Sequence, residues 1–266
     1  MIAAAVQMSS GPDKRANLEK AQSLVRDAAR RQASLVVLPE VWNWRGKRGE
    51  EPDQAESIPG PTSERLSGLA HELRIFVQAG SITERIDGDR RCYNTALLFA
   101  PDGAIVARYR KIHLFDVEIP GQVSARESEG RKPGTETVVA RTALGAIGLS
   151  VCYDLRFPEL YRKLVGAGAE ILCIPSAFTF PTGAAHWEPL VRARAIENQC
   201  FVIAPDQYGA SPNGYRDYGG SMIVDPWGTV LSRAPEAEAV ITAELDLAHL
   251  AKVRRELPSL THVRLV

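Results

Sequence analysis

Cysteine is scarce in this sequence. The 266 residues include four cysteines, Cys92, Cys152, Cys173 and Cys200, and no two of them form a C-x-x-C pair. Such sparse and widely spaced cysteines argue against a disulfide framework and against a zinc ribbon. We therefore expect a reducing, cytoplasmic setting, and we expect no metal and no other cofactor.

Excess charge and long apolar runs are also missing. Lys plus Arg and Asp plus Glu each number 32, so the formal net charge is zero and nothing favours nucleic acid or an anionic membrane as a partner. No uninterrupted apolar run reaches the roughly 18 residues of a membrane span. The first basic residues, Lys14 and Arg15, follow the apolar start, which is the wrong order for a secretory signal. We expect a soluble intracellular protein.

Several catalytic motifs are absent as well. There is no G-x-S-x-G, no H-E-x-x-H, no Walker loop and no G-x-G-x-x-G, which argues against an α/β-hydrolase serine, a zincin and the common nucleotide sites. A Cys–His enzyme could use His113 or His186, but neither lies in a recognisable local signature.

The pattern of elements that is present predicts an α/β fold. "IAAAVQM" and "SLVVLPE" predict buried strands on either side of a helix that Asp13 caps. A second strand–helix–strand unit surrounds Cys152, with Pro158 in the first helical turn, and antiparallel strands lie between the units, including a "PDG" hairpin turn at 101–103. Segments 41–61 and 115–136 are predicted as long polar loops. The order favours a layered α/β sandwich of mixed sheets covered by helices, in one domain over 1–266.

Three polar residues stand where apolar strands end. "SLVVLPE" ends in Glu40, "ARYRKIHL" carries Lys111 near its end, and "AIGLSVC" ends in Cys152. Ligands collect beyond the carboxyl ends of strands in α/β proteins. Each residue alone has an ordinary structural interpretation: a buried inert thiol, a solvated glutamate and an exposed lysine.

Together the three residues fit attack on an amide carbonyl. Glu40 would take the thiol proton of Cys152, because a thiol is mostly protonated at neutral pH. Lys111 and the backbone N–H of Tyr153 would stabilise the oxyanion. Glu40 would then protonate the leaving nitrogen and activate the water that cleaves the thioester.

The segments "VVLPE", "YRKIHLFD" and "VCYDLRFPEL" resemble those of the nitrilase, or carbon–nitrogen hydrolase, superfamily. The resemblance implies an α-β-β-α sandwich that pairs to give a four-layer core across a homodimer. It also implies the same three catalytic roles and a second glutamate in the loop after the lysine. Glu127 is the matching position, with Glu129 as the alternative.

"DVEIPG" and "GAAHWE" narrow the resemblance to the deaminated glutathione amidase branch. That branch implies hydrolysis of a small carboxylated amide through a Cys thioester, with release of an amine or ammonia equivalent. Candidate substrate-binding residues are Tyr153, Arg156, Ser176, Phe178 and His186. Arg156 could instead pair with Asp154 or Glu159, and Ser176 could cap a strand end. His186 and Trp187 are predicted at the start of the helix "AAHWEPLVRARAIENQ", and Trp187 fits the apolar stripe of that helix.

Other functions remain open from the sequence. The same catalytic residues would serve an omega-amidase acting on 2-oxoglutaramate or an N-carbamoyl amino acid amidohydrolase. A non-catalytic small-molecule-binding protein on this fold is the alternative from another class. The presence of Glu40, Lys111 and Cys152 together argues against the last of these.

Overall fold

The structure is a computed structural model that describes residues 1–47 and 49–264. Its helices are α1 (Lys14–Arg30), α2 (Pro61–Leu73), α3 (Glu127–Gly130), α4 (Pro158–Gly166), α5 (Phe180–Asn198) and α6 (Leu247–Glu256). Its strands are β1 (Ile2–Gln7), β2 (Leu35–Val37), β3 (Phe76–Gln78), β4 (Ile82–Arg85), β5 (Cys92–Phe99), β6 (Ile105–Arg110), β7 (Asp116–Ile119), β8 (Val123–Arg126), β9 (Val138–Thr142), β10 (Gly145–Leu149), β11 (Ile171–Cys173), β12 (Phe201–Ala204), β13 (Tyr208–Ala210), β14 (Arg216–Tyr218), β15 (Met222–Val224), β16 (Val230–Arg233) and β17 (Ala239–Glu244).

Two large mixed sheets form the centre of the fold. The first has the order β17-β1-β2-β3-β5-β4, with β6 also paired to β5, and its strands β1, β2 and β3 are parallel. The second has the order β16-β15-β12-β11-β10-β9, with β10, β11 and β12 parallel. Glu40 and Cys152 follow β2 and β10, which belong to these parallel sets, and carboxyl ends of parallel strands are where ligands collect in α/β proteins. Lys111 follows β6, which is antiparallel to β5.

The sheets pack face to face and helices cover their outer faces. Ala3 and Ala5 of β1 belong to the apolar cluster shared with the second sheet, whereas Ala4 and Val6 pack with α1 and α2. This alternation follows from the two-residue period of a strand. Buried residues of α4 and α5 join the cluster of the second sheet. The α-β-β-α sandwich is confirmed.

The four layers lie within one chain. The expectation that a dimer is needed to produce them is therefore wrong, because both sheets and both helical layers come from the same polypeptide. Within residues 1–47 and 49–264, no helix is both long enough and apolar enough to cross a membrane.

Local signals in the sequence set several element boundaries as expected. The Asp13 carboxylate accepts a 3.0 Å hydrogen bond from the backbone N–H of Ala16 and so caps α1. Pro158 occupies the first position of α4, where the missing N–H costs no hydrogen bond. Gly103 adopts a φ of 83° in the turn between β5 and β6, a conformation that glycine adopts without strain.

One predicted loop and one predicted helix start are wrong. Residues 115–136 contain the β7–β8 hairpin and the short helix α3 instead of a continuous loop. Helix α5 begins at Phe180, so His186 and Trp187 lie nearly two turns inside it rather than at its start. The predicted loop 41–61 contains a short 3₁₀ turn at Glu51–Gln54, and it includes Arg48, which lies outside the described residues.

Candidate active site

Backbone hydrogen bonds hold the three strand-end candidates in place. The N–H of Glu40 donates to the carbonyl of Ser176 at 3.3 Å, which joins the segment after β2 to the segment after β11. The N–H of Lys111 donates to Asn94 at 2.9 Å, and that of Cys152 donates to Pro175 at 2.9 Å. Strand ends from both sheets therefore meet at one place.

Lys111 lies between two carboxylates. Its Nζ is 2.9 Å from Oε1 of Glu40 and 2.9 Å from Oε2 of Glu127. Lys111 is 2% exposed and Glu40 is 5% exposed, so water competes little with these charge-assisted bonds. The structure thus brings Lys111, Glu40 and Glu127 into direct contact.

Glu127, rather than Glu129, makes the second carboxylate contact with Lys111. Its Oε2 also accepts a 2.7 Å hydrogen bond from the backbone N–H of Phe115, which is a second contact that fixes the carboxylate. Glu129 is exposed on the same short helix and lines the outer part of the site. Geometry therefore favours Glu127 as the second glutamate.

The buried charges shift one another's pKa. Burial alone would lower the pKa of Lys111, but the Glu127 and Glu40 carboxylates outweigh it and raise that pKa above its ordinary value. Burial alone would raise the pKa of Glu127, but Lys111, Arg131 and the Phe115 N–H lower it below the ordinary 4.5. Glu127 and Lys111 are therefore both ionised at neutral pH.

Cys152 begins a 3₁₀ turn in an unusual backbone conformation. Its φ is +50°, in the left-handed region that non-glycine residues rarely occupy. Burial raises the pKa of the thiol well above its ordinary value, and the Glu40 carboxylate raises it further, whereas Lys111 and the Ala177 backbone N–H act in the opposite direction. The resting thiol is protonated at neutral pH and needs a base before it can attack.

A cavity of about 440 Å³ lies beside these groups, and Cys152, Glu40 and Lys111 all form part of its wall. This volume falls in the range of small-molecule sites. Tyr153 and Phe178 line the same cavity. Its wall also carries the arginines Arg45, Arg90, Arg91, Arg126 and Arg131.

Tyr153 and Phe178 are thus in the cavity wall, and their contact with substrate stays a prediction. Tyr153 is the second residue of the 3₁₀ turn, so its N–H has no acceptor within the turn. Phe178 packs against Trp187 with ring centroids 5.0 Å apart, and Trp187 is fully buried as expected.

Three other predicted substrate residues do not form the cavity wall. Ser176 is fully buried, and its hydroxyl donates to the carbonyl of Ile174 at 3.1 Å. His186 is exposed on α5, and its Nδ1 is 3.2 Å from an Nη1 of Arg156. Arg156 lies over the ring of Phe178, 5.2 Å from its centroid. Contact of these three residues with substrate stays a prediction.

The contacts of His113 do not suit a base for Cys152. Its Nδ1 is 2.7 Å from Oδ1 of Asp154, and its ring stacks on Phe157 at 3.7 Å. Asp154 is therefore bonded to His113, and neither Asp154 nor Glu159 forms an ion pair with Arg156 among the contacts of residues 1–47 and 49–264.

Two residues of the site, Asn94 and Arg131, are not predicted from the sequence. Asn94 Nδ2 lies 2.7 Å from Oε1 of Glu40 and 3.4 Å from Oε1 of Glu127, so one amide bridges both carboxylates. Arg131 places its Nε 3.6 Å from Oε1 of Glu127. A polar residue inside the apolar strand "NTALLF" was a usable signal for Asn94, but nothing local marks Arg131.

Comparison with known proteins identifies relatives of this chain. The carbon–nitrogen hydrolase family model matches residues 2–255. Deaminated glutathione amidase of Homo sapiens is 45% identical over 269 residues, which cover 99% of this chain and 82% of that protein. Omega-amidase of Xenopus tropicalis is 41% identical over 253 residues, which cover 95% of this chain and 91% of that protein.

The fold is similar to that of solved structures. The crystal structure of the C. elegans NitFhit protein superimposes with a TM-score of 0.93 at 40% identity, covering 99% of this chain. This chain spans 65% of the NitFhit chain. The fold and the sequence resemblance are both confirmed: the chain belongs to the carbon–nitrogen hydrolase family, and it is an amidase.

Proposed function

We propose that the protein hydrolyses a small carboxylated amide, with deaminated glutathione as its substrate, through a thioester on Cys152. One observation carries the mechanism: Lys111 bonds both Glu40 and Glu127 in the wall of the cavity that Cys152 also lines. A cation, a base and a thiol are thereby available to one bound carbonyl group.

Glu40 is the general base in this mechanism. The Cys152 thiol is protonated at rest because burial and the Glu40 carboxylate raise its pKa. As the sulfur attacks the amide carbon, the thiol proton passes to Glu40, and the carbonyl oxygen becomes an oxyanion. The nucleophile is thus activated only when a substrate accepts the electron pair of the sulfur.

Lys111 stabilises the oxyanion together with the N–H of Tyr153. The Lys111 ammonium is buried and already positioned by two carboxylates, so little reorganisation is needed when charge develops. The Tyr153 N–H, at the start of the 3₁₀ turn, is the second donor. Glu127 and Asn94 hold Lys111 and Glu40 in position.

The intermediate collapses when the C–N bond breaks and protonated Glu40 gives its proton to the leaving nitrogen. The amine departs and the acyl group stays on the sulfur as a thioester. Glu40 then takes a proton from water, and the hydroxide adds to the thioester carbonyl. Loss of the sulfur, which regains the proton from Glu40, releases the carboxylic acid.

Relatives with the name deaminated glutathione amidase support the choice of substrate. In deaminated glutathione the amide joins a 2-oxo dicarboxylic acid to cysteinylglycine, so both sides of the bond carry a carboxylate. The arginines in the wall of a cavity of about 440 Å³ suit such a substrate, because guanidinium groups bind carboxylates well. Tyr153, Arg156, Ser176, Phe178 and His186 are the proposed substrate-binding residues.

Omega-amidase activity on 2-oxoglutaramate is the second candidate, which the 41% identity to the Xenopus tropicalis omega-amidase favours. Both substrates leave the same acyl group on the sulfur, so an adduct mass does not separate them. A comparison of kcat/KM for deaminated glutathione, 2-oxoglutaramate and an N-carbamoyl amino acid does. A higher kcat/KM for 2-oxoglutaramate would overturn our choice.

The nucleophile is tested by intact-protein mass spectrometry during turnover. We expect a 2-oxo acyl increment on Cys152 and none on Cys152→Ala, which should keep its fold and lose turnover. Retained turnover in Cys152→Ala would refute the mechanism. Ligand binding without any turnover by the native protein would favour the non-catalytic alternative.

We also propose that residues 1–266 form one domain, that the protein is a homodimer and that it is cytoplasmic. The family match over 2–255 supports the first proposal, and four unpaired cysteines support the last. Exposed large apolar side chains support dimerisation: Ile196 is 50% exposed, Trp227 63% and Leu231 40%. Trp227→Glu should shift the protein toward a monomer in sedimentation experiments, and an unchanged mass would reject Trp227 as part of the interface.

A further inference from the structure

We propose that Asp154 is a positioning residue for the reaction. Its carboxylate joins the turn that carries Cys152 to the backbone around Lys111, and thereby sets the separation between the nucleophile and the cation that stabilises the oxyanion. This inference rests on the proposed roles of Cys152 and Lys111.

The carboxylate of Asp154 is fully buried and accepts four hydrogen bonds. Its Oδ1 accepts from the backbone N–H of His113 at 3.0 Å and lies 2.7 Å from Nδ1 of the same residue. Its Oδ2 accepts from the hydroxyl of Tyr109 at 2.6 Å and from the backbone N–H of Val151 at 2.8 Å. Both oxygens are therefore used twice, as a buried carboxylate requires.

These four bonds come from two separate parts of the fold. Tyr109 and His113 lie two residues before and two residues after Lys111, at the end of β6 in the first sheet. Val151 immediately precedes Cys152 and follows β10 in the second sheet. Asp154 is thus a direct link between the two segments whose relative position the mechanism depends on.

The backbone at Cys152 needs such support. A φ of +50° is unfavourable for a residue with a side chain and persists only when the surroundings determine it. The bond from Val151 N–H to Asp154 closes the start of the 3₁₀ turn in the manner of a helix cap. The bond from Cys152 N–H to Pro175 fixes the next peptide.

His113 holds the link in place from the other side. Its ring stacks on Phe157, with centroids 3.7 Å apart and planes 6° apart, so the orientation of Nδ1 toward Asp154 is fixed by packing. This contact gives a function to the histidine of "YRKIHLFD" that the catalytic mechanism does not use.

The test is Asp154→Asn, a substitution that keeps the shape of the side chain but removes acceptor capacity. We expect kcat to fall about 10- to 100-fold, because small misplacements of reacting groups slow a reaction by factors of this size. KM should stay within about threefold of the wild-type value. Both constants are measured well below the Tm of the variant. The rate of Cys152 alkylation by iodoacetamide is measured in parallel and should also change.

Tyr109→Phe and His113→Ala each remove one bond to Asp154 and should give smaller losses of kcat with the same unchanged KM. They keep the proposal testable if Asp154→Asn does not fold. Ser150→Ala is the matched control. Ser150 is equally buried, two residues before the nucleophile, and bonds Tyr161 and Cys173 instead of Asp154, so its loss should lower Tm and leave kcat nearly unchanged.

The inference is overturned if Asp154→Asn lowers Tm but keeps kcat within twofold of the wild type, because the residue would then be purely structural. It is also overturned if Ser150→Ala loses as much kcat as Asp154→Asn. Failure of the proposed function is recognised separately, by turnover that persists in Cys152→Ala.

Discussion

Replacing Glu127 by glutamine removes one of the two negative charges that hold Lys111, and its effect follows from the geometry. The Nζ–Oε2 distance is 2.9 Å, so at an effective dielectric constant of ~20 the gross attraction is about 6 kcal/mol. Desolvation offsets part of this attraction. Loss of one partner of a buried pair costs about 3–5 kcal/mol of stability, which corresponds to roughly 6–20 °C in Tm for a chain of this size.

The same substitution should slow catalysis. With Glu127 neutral, Glu40 holds the Lys111 ammonium more tightly, so it becomes a weaker base and Lys111 a weaker donor to the oxyanion. One charge-assisted hydrogen bond contributes about 1.5–3 kcal/mol, which converts to a loss of about 10- to 150-fold in kcat. KM should stay within about threefold, because Glu127 acts through Lys111.

The effect on stability should depend on pH. The pKa of Glu127 lies below its ordinary value of 4.5 because Lys111, Arg131 and a backbone N–H outweigh the opposing effect of burial. A carboxylate with a lowered pKa stabilises the folded state above its unfolded pKa and ceases to do so as pH falls through the folded pKa. The Tm difference between wild type and Glu127→Gln should therefore shrink in acid.

Steady-state kinetics at pH 7.5 and calorimetry at pH 7.5 and 4 measure these effects. Glu129→Gln is the control, because Glu129 lies on the same short helix but is exposed. Activity of Glu127→Gln within twofold of the wild type would refute the reasoning. A larger loss in Glu129→Gln than in Glu127→Gln would refute it as well.

Three further predictions follow from buried or strained residues. Asn94→Ala should lower kcat about tenfold or more in steady-state assays, because Glu40 loses a 2.7 Å charge-assisted bond. Asp206→Asn should raise Tm, increasingly so with rising pH in calorimetry: burial raises the Asp206 pKa well above its ordinary value, and the wild type loses stability as pH rises toward it. Val41→Asn should raise Tm by a few degrees, since a β-branched residue at a φ of 43° is strained, and an unchanged or lower Tm would reject this.

Sequence reasoning succeeds where a residue interrupts an apolar strand at its end. Glu40, Lys111 and Cys152 are recognisable one by one as polar endings. Parallel central strands precede Glu40 and Cys152, whereas Lys111 follows the antiparallel strand β6. The same reasoning places the caps and turns, because Asp13, Pro158 and Gly103 act within a few residues of their own position. Local chemistry suffices for these features.

Sequence reasoning fails where the role of a residue depends on its orientation toward a partner that is distant in the sequence. Glu127 and Glu129 lie two positions apart on α3, so they point about 200° apart around the helix, and only contact with Lys111 decides between them. The 115–136 segment looks like a loop because half of the residues of β7 and β8 are polar and only Val123 among them is buried. Pairing between the two strands, rather than apolar burial, defines that hairpin.

The charges of the site explain why the nucleophile rests as a neutral thiol. Glu40 and Glu127 carry two negative charges, and Lys111 and Arg131 carry two positive ones. The buried cluster is therefore balanced only while Cys152 keeps its proton, because a resting thiolate would add an uncompensated charge. When the proton passes to Glu40 during attack, the negative charge moves from the carboxylate through the sulfur to the oxyanion beside Lys111, and the total does not change. This arrangement couples activation of the sulfur to the presence of a carbonyl that can accept the charge.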